Sequence, residues 1–105
     1  MQLSVTLALL FPLLNVASAA VHNAGICVDW VNKAAVYNAD ATEKACGNYK
    51  MRNKGDEQWN QCPDCLMKDM GGLNVCNSDG WHIGGDELDY YCKLNGAQGS
   101  YATKS

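Results

Sequence analysis

The chain has 105 residues, a formal net charge of −3 and a sequence pI of about 5.1. Its eight basic residues are spread along the sequence, so no stretch carries the dense positive charge that binds nucleic acids or anionic membranes. We therefore expect neither a nucleic acid nor a membrane as a partner.

The N-terminal residues have the pattern of a secretory signal peptide. An apolar stretch, Val5–Leu14, precedes the small residues Ala17–Ala20. The stretch is shorter than the roughly 20 residues that cross a bilayer. We expect a signal peptide over residues 1–20, cleaved at the alanine pair that ends it, and a secreted, extracellular single domain over residues 21–105.

The first part of this domain predicts a strand and then a helix. Ile26–Val31 is rich in β-branched and aromatic residues with an alternating pattern, which favours a strand. We expect the segment from Asn32 to Asn38 to be irregular. Asp40 then has the position of a helix cap, and the apolar residues Ala41, Ala45 and Tyr49 recur every four residues, so a helix is predicted from Asp40 to about Arg52.

The middle of the chain predicts a crosslinked loop followed by a hairpin. Cys62–Cys65, with the sequence Cys-Pro-Asp-Cys, indicates a tight loop. Leu73–Cys76 is a short strand candidate, and Asn77–Gly80 has the residues of a turn. Because Trp81–Ile83 follows at once, we expect these two segments to pair as a hairpin.

The C-terminal part predicts a second helix. Asp86 is placed to cap a helix over Glu87–Leu94, and Tyr101 suggests a last strand in the polar tail. The fold class expected from these elements is α+β, a small disulfide-rich domain with a short antiparallel sheet packed with two or more helices.

All the cysteines follow the predicted cleavage site, and they predict three disulfides. An exported chain meets an oxidising compartment, where disulfides form. In a domain of this size the free energy gained from apolar burial only roughly offsets the conformational entropy lost on folding, so crosslinks are needed. The pairing stays open, since six cysteines permit 15 combinations. The cysteines are Cys27, Cys46, Cys62, Cys65, Cys76 and Cys92.

The Cys62–Cys65 spacing is also that of a redox dithiol or of half a zinc site. The segment before it is polar rather than a buried strand, and its distances to Cys76 and Cys92 fit no standard zinc site. Structural crosslinking is therefore favoured, and we expect no metal and no cofactor.

Aromatic residues beside polar ones indicate a carbohydrate site. An exposed indole offers a flat apolar platform for a sugar ring, and nearby carboxylates and imidazoles bind its hydroxyl groups. An equally weighted alternative is that Trp30 and Trp81 are core residues and only Trp59 is exposed. The candidate ligand-binding residues are Trp59, Asp64, Trp81, His82 and Asp86.

A hydrolase is the catalytic alternative. His82, Glu87 and Arg52 could supply the base, acid and cation of a small secreted ribonuclease. The acidic chain opposes this, as does the position of the only other histidine of the domain, His22, near an N-terminus expected to be frayed. In a simpler alternative Asp86 caps the helix and His82 is an exposed hairpin residue.

Several short segments, spread over nearly the whole predicted domain, form a recognisable pattern. They are Tyr37–Thr42, Cys46, Tyr49, Arg52-Asn53, Trp59, Cys62–Cys65, His82–Asp86 and Tyr91-Cys92. In these segments the chain resembles small cysteine-rich proteins secreted by fungi, a group that includes a glycan-binding mushroom lectin. The resemblance implies a compact α/β sandwich, a possible homodimer formed through sheet edges, and recognition of N-acetylated or fucosylated glycans.

The function expected first from the sequence is that of a secreted, non-catalytic, lectin-like protein whose partner is a glycan or glycoprotein. Two other classes stay open. One is a small ribonuclease-like toxin that uses His82 and Glu87. The other is an effector directed at a host or competitor, which needs only a protease-resistant disulfide fold with a protein-binding patch.

Overall fold

The computed structural model describes residues 21–103, in which antiparallel strands pack with two helices and three disulfides. The predicted α+β class is confirmed. The predicted signal peptide lies outside the described residues. The strands are β1 (Val21–His22), β2 (Ala24–Val31), β3 (Ala34–Tyr37), β4 (Leu66–Met70), β5 (Leu73–Asn77), β6 (Ile83–Gly84) and β7 (Gly99–Ala102). The helices are α1 (Ala39–Lys50), α2 (Gly85–Leu94) and a short 3-10 helix, Gln58–Asn60.

Strand β2 is the centre of the main sheet. It pairs antiparallel with β3, β5 and β7, and β5 pairs in turn with β4. Gly25 of β2 lies against Leu88 of α2 and stands opposite Cys76 of β5 in the register. Since residues opposite each other share a face, Gly25, Cys27 and Cys76 all point toward the helices. Both helices therefore pack on one face of the sheet.

Two disulfides join the helices to the sheet, one for each helix. Cys27–Cys92 links β2 to α2 across 65 residues, and Cys46–Cys76 links α1 to β5 across 30. By loop-closure entropy each stabilises the fold by about 4 kcal/mol. The third bond, Cys62–Cys65, spans only three residues and contributes about 2 kcal/mol on the same scale. This bond confirms the tight loop predicted at that position.

The segment from Asn32 to Asn38 differs from the irregular structure expected. Residues 34–37 form β3, which is joined to β2 by a tight turn with positive φ at Asn32 (50°) and Lys33 (68°). The Asn38 side chain accepts a hydrogen bond from the Ala41 amide at 2.9 Å and caps α1. Asp40, the predicted cap, lies instead in the first turn.

The predicted hairpin between Leu73–Cys76 and Trp81–Ile83 is wrong. Strand β5 pairs with β4, through a turn in which Gly71 and Gly72 have φ of 68° and 90°. Ile83 pairs instead with His22 of β1. Strand β4, in which only Met67 is partly buried, lacks the alternation of apolar and polar residues that predicts a strand.

Helix α2 and strand β7 lie where the sequence predicts them. Helix α2 covers the predicted segment, but its cap is Gly84, and Asp86 makes no capping hydrogen bond. Asp86 and Glu87 lie in the first turn, where negative charge favours the helix dipole. Tyr101 lies in β7, which pairs with β2 as the last strand.

The turn between β2 and β3 provides the first prediction. Lys33 adopts a left-handed conformation that a non-glycine residue reaches at a free-energy cost of about 1–2 kcal/mol. We expect Lys33→Gly to raise the free energy of unfolding by about 0.5–1 kcal/mol after the greater entropy of the unfolded glycine is subtracted. Thermal unfolding should show a Tm higher by about 2–8 °C.

The matched control uses the opposite change at Gly96, which follows α2 with φ of 93° and has open space around it. Gly96→Ala should lower stability by about 1 kcal/mol through strain alone. A Lys33→Gly protein with an unchanged or lower Tm would show that this turn is not strained.

Candidate functional site

The structure brings three of the five predicted site residues together. Asp64 belongs to the Cys62–Cys65 loop, and Trp81 and His82 follow the turn that begins at Ser78. Trp59 lies beside them in the 3-10 helix, whose first residue, Gln58, contacts the same turn. We call Gln58, Asp64, Ser78, Trp81 and His82 the corner.

Asp64 holds the turn of the corner. Its Oδ1 accepts a hydrogen bond from the Ser78 hydroxyl, and its Oδ2 accepts one from the Gly80 amide, both at 2.7 Å. Ser78 is fully buried, and its Oγ also accepts a hydrogen bond from the His82 amide at 3.0 Å. A single carboxylate therefore holds Ser78 and Gly80 just before Trp81, and Ser78 in turn holds the His82 amide just after it.

The protonation of Asp64 follows from these contacts. Burial raises the pKa of its carboxyl group, but the hydrogen bonds from Ser78 and Gly80 and the charge of nearby His82 outweigh burial. Together they lower the pKa below its ordinary value of 3.8. Asp64 is thus an anion at neutral pH, and it acts first as an acceptor for the turn.

His82 is oriented by the 3-10 helix. Its Nδ1 lies 2.9 Å from the carbonyl oxygen of Gln58, and a carbonyl only accepts, so Nδ1 carries the hydrogen. The Gln58 side chain donates back to the carbonyls of Gly80 and Trp81, at 2.7 and 3.1 Å. The Nε2 atom of His82 and the Oδ2 atom of Asp64 each lie 3.0 Å from the position of a Cβ on Gly80. The His82 imidazole and the Asp64 carboxylate therefore lie next to Gly80.

Trp81 combines exposure with backbone strain. Its φ is 59°, its amide donates to the Ser78 carbonyl at 3.0 Å, and 40 % of its surface is exposed. A bulky residue in this conformation costs on the order of 1–3 kcal/mol, and such strain is concentrated at functional positions. The corner thus exposes the indole of Trp81, although neither burial in the core nor the preferred backbone conformation of tryptophan favours this residue at the position.

The exposure of the tryptophans reverses the alternative considered from the sequence. Trp30 and Trp81 are 43 % and 40 % exposed, and Trp59 is half-buried. Trp30 packs edge-on against Tyr101 of β7, at 5.6 Å between ring centroids. Two exposed indoles therefore lie on different parts of the described surface, one on the sheet and one in the corner.

The fifth predicted residue, Asp86, does not belong to the corner. It lines a separate cleft with Arg52, Glu87 and Tyr91. The Arg52 side chain donates to the Asn60 carbonyl at 3.2 Å and to the Tyr91 hydroxyl at 3.4 Å. Arg52 is therefore engaged in holding the 3-10 helix and α2 together.

Among residues 21–103, the hydrogen bonds of the two histidines go to groups other than Glu87. The hydrogen bonds of His82 go to Gln58, Ser78 and the Tyr49 hydroxyl, and none joins it to Glu87. His22 is not frayed, since it pairs with Ile83 and its Nδ1 contacts the carbonyl of Thr103. The described histidines thus serve to join segments.

Tyr49 contacts the corner from its buried side and is not among the site residues predicted from the sequence. It is fully buried, and its hydroxyl lies 2.7 Å from the Trp59 carbonyl and 3.1 Å from that of His82. The same oxygen accepts a hydrogen bond from the Gly84 amide at 3.1 Å. The helical period of α1 predicted that this side chain faces the core, but only the tertiary structure supplies the partners of its hydroxyl.

The sulfur atoms of Cys46, Cys65 and Cys76 lie within 4.8 Å of one another. All six cysteines are in disulfides, so these atoms are not thiolate ligands for a metal. The cluster places the Cys62–Cys65 bond against the Cys46–Cys76 bond.

Comparison with protein families identifies the group to which these features belong. Residues 20–100 match the family described as biotrophy-associated secreted protein 4. The chain belongs to this family. It is a small secreted fungal protein, located outside the cell, which confirms the expected secretion and the general resemblance to fungal secreted proteins.

The family match carries no link to a lectin. No curated protein and no solved structure matches the chain. Among the described residues, neither helix has the length and apolar character that crossing a membrane requires.

The buried hydroxyl of Tyr49 gives the second prediction. Tyr49→Phe leaves the Gly84 amide and a buried carbonyl without a partner, so we expect a loss of about 1–3 kcal/mol in the free energy of unfolding. Thermal or urea unfolding measures this. Tyr37→Phe is the control, since its hydroxyl donates to the Asn74 carbonyl at the surface, and should change little. Equal losses in both variants would contradict the supporting role of Tyr49.

The third prediction concerns pH. Because folding lowers the pKa of Asp64, its stabilising contribution is present above 3.8 and is lost as the pH falls below that value. Asp64→Asn should lower stability by about 1–2 kcal/mol at pH 7 and have a smaller effect in acid. Urea unfolding at neutral and acidic pH tests this, with Asp56→Asn as the control for loss of one exposed charge. A difference from the native protein that does not shrink in acid would refute the assignment.

Proposed function

We propose that the protein is a secreted effector that acts by non-covalent binding to a component of the surface of a living host. The family description, which names biotrophy and secretion, supports action during growth of the fungus in living host tissue. Two long-loop disulfides support persistence outside the cell, since they hold both helices on the sheet. The effector hypothesis therefore takes precedence over the lectin expected first.

The observation that carries a binding function is the conformation of Trp81. Its indole is exposed on a turn whose amide and carbonyl groups are held by Asp64 and Gln58. An exposed, pre-ordered aromatic residue binds a partner without a large loss of side-chain entropy. The backbone strain at Trp81 favours a functional reason for the residue, because glycine at this position would fit the turn better.

The arrangement favours binding over catalysis. The Nδ1 of His82 is engaged by Gln58, and both oxygens of Asp64 accept hydrogen bonds from the turn. Because hydrogen bonds within the protein already occupy these atoms of His82 and Asp64, the two side chains are better suited to holding a binding surface in shape than to transferring a proton.

The second candidate function is glycan binding at the same corner. Trp81 would stack on the apolar face of a sugar, and the His82 Nε2 and the Asp64 carboxylate would meet its hydroxyl groups. The half-buried Trp59 and the separate Asp86 have smaller roles in this arrangement than the sequence suggested.

The fourth prediction separates strain from function at Trp81. We expect Trp81→Gly to be at least as stable as the native protein, because glycine adopts φ of 59° freely, and to bind host surfaces at least tenfold more weakly. The measurements are thermal unfolding and retention of fluorescently labelled mature protein on a host cell-wall preparation. A glycan array run alongside tests the sugar hypothesis.

Trp30→Ala is the matched control, since it removes an equally exposed indole from the sheet. It should retain native binding. Equal binding by the native protein and both variants would refute a role for the corner. Selective glycan binding lost only in Trp81→Gly would support sugar as the ligand, and a blank array with retained cell-wall binding would favour a protein component.

The biological consequence is tested in the fungus itself. Deletion of the gene should reduce colonisation of living host tissue and leave growth in culture unchanged. The native gene should restore colonisation, and a gene carrying Trp81→Gly should not. Normal colonisation by the deletion strain would contradict the effector proposal.

A further inference from the structure

We propose that the Cys62–Cys65 disulfide is a redox-sensitive control of the corner, opened by a dithiol reductant while the rest of the fold stays intact. The bond closes the loop that contains Asp64, and Asp64 in turn holds the Gly80 amide next to Trp81. Opening the loop would release the turn and weaken binding. The consequence for binding rests on the function proposed above.

This bond is separable from the other two because it joins no two elements of the fold. Its half-cystines are three residues apart, whereas the other pairs are 65 and 30 residues apart and each joins a helix to a strand. A disulfide that closes a short loop restricts the unfolded chain least, so its loss destabilises the fold least. Both sulfurs are buried, and the exposed Pro63 marks the short segment whose local opening would admit a reductant.

The coupling to Asp64 follows from a direct contact. The Cys62 Sγ lies 3.7 Å from the Asp64 Oδ1, the atom that accepts the Ser78 hydroxyl hydrogen. In the disulfide this sulfur has no hydrogen to donate. Once reduced, the thiol donates to Oδ1 in competition with Ser78, and a thiolate would repel the carboxylate.

The reaction is an ordinary thiol–disulfide exchange. A thiolate of the dithiol attacks one sulfur of Cys62–Cys65 and forms a mixed disulfide, and the leaving sulfur takes a proton. The second thiol of the reductant then displaces the other cysteine and closes the oxidised reductant. Two electrons and two protons pass to the protein, which gains two thiols.

The neighbouring sulfur cluster gives the reduced protein a second route. A Cys65 thiolate would lie within 4.8 Å of the Cys46 and Cys76 sulfurs, so it can attack that bond and release one of them as a thiolate. The exchange conserves the number of disulfides and leaves the four-residue loop open. It replaces the Cys46–Cys76 bond by a bond from Cys65 to Cys46 or to Cys76, so a crosslink to α1 or to β5 remains. Asp64 is released in either product.

The first experiment needs no host ligand. The oxidised mature protein is treated with increasing dithiothreitol under native conditions, alkylated at acidic pH, and mapped by peptide mass spectrometry. Amide hydrogen exchange is measured by NMR in the same samples. We expect thiols on Cys62 first, and Gly80 exchange at least tenfold faster. The Asn38 amide, which donates to the Cys27 carbonyl at 2.9 Å, should change less than twofold.

A Cys62→Ser, Cys65→Ser double variant provides the permanently open loop for the cell-wall assay. It should fold with both long-loop disulfides and bind as weakly as Trp81→Gly. If the double variant does not fold, the partially reduced native protein replaces it in both measurements.

The two proposals fail in different ways. Reduction of either long-loop disulfide before Cys62–Cys65, or selective opening with unchanged Gly80 exchange, overturns the redox control and leaves the binding function untouched. Absence of cell-wall binding by the oxidised native protein overturns the binding function, whereas the coupling between the loop and Gly80 is judged by exchange alone.

Discussion

The hydroxyl group of Tyr49 is the interaction on which the arrangement of the corner depends. It accepts from the Gly84 amide and lies within hydrogen-bond distance of the Trp59 and His82 carbonyls. The hydroxyl oxygen of this α1 residue therefore sets the positions of the 3-10 helix, the segment after the turn and the end of β6. Burial raises the pKa of Tyr49 to about 12, so the group keeps its proton and serves as donor and acceptor at once.

The rest of the core explains why so much depends on one hydroxyl. Of the 13 buried residues that form the main hydrophobic cluster, six are half-cystines, and few large aliphatic side chains are among them. A core of this composition gains less from apolar burial than a core of branched side chains. The covalent bonds supply the long-range constraints instead, and specific hydrogen bonds set the local geometry between them.

The corner shows how this division of roles supports function. The two long-loop disulfides fix the layers, while Asp64, Ser78 and Gln58 hold a strained turn that presents Trp81. Strain of this kind persists only where neighbouring interactions over-determine the backbone. A binding surface built in this way is rigid without being large, which suits a small protein that acts outside the cell.

Local residue preferences and spacing were sufficient for three elements. The β-branched and aromatic residues of Ile26–Val31 and the helical spacing that ends at Tyr49 predicted β2 and α1, and the Cys62–Cys65 spacing predicted the short crosslinked loop. The number and setting of the cysteines predicted disulfides but left their pairing open. These properties depend on neighbours in sequence, and the chain alone determines them.

The tertiary structure decided which partners meet. Strand β5 pairs with β4 rather than with the segment after the turn, because the Gly71-Gly72 turn provides the positive φ of a tight hairpin. The grouping of Asp64 with His82 and the separation of Asp86 depend instead on contacts between segments that are distant in sequence. Such contacts depend on how the layers pack, and no local period in the sequence records them.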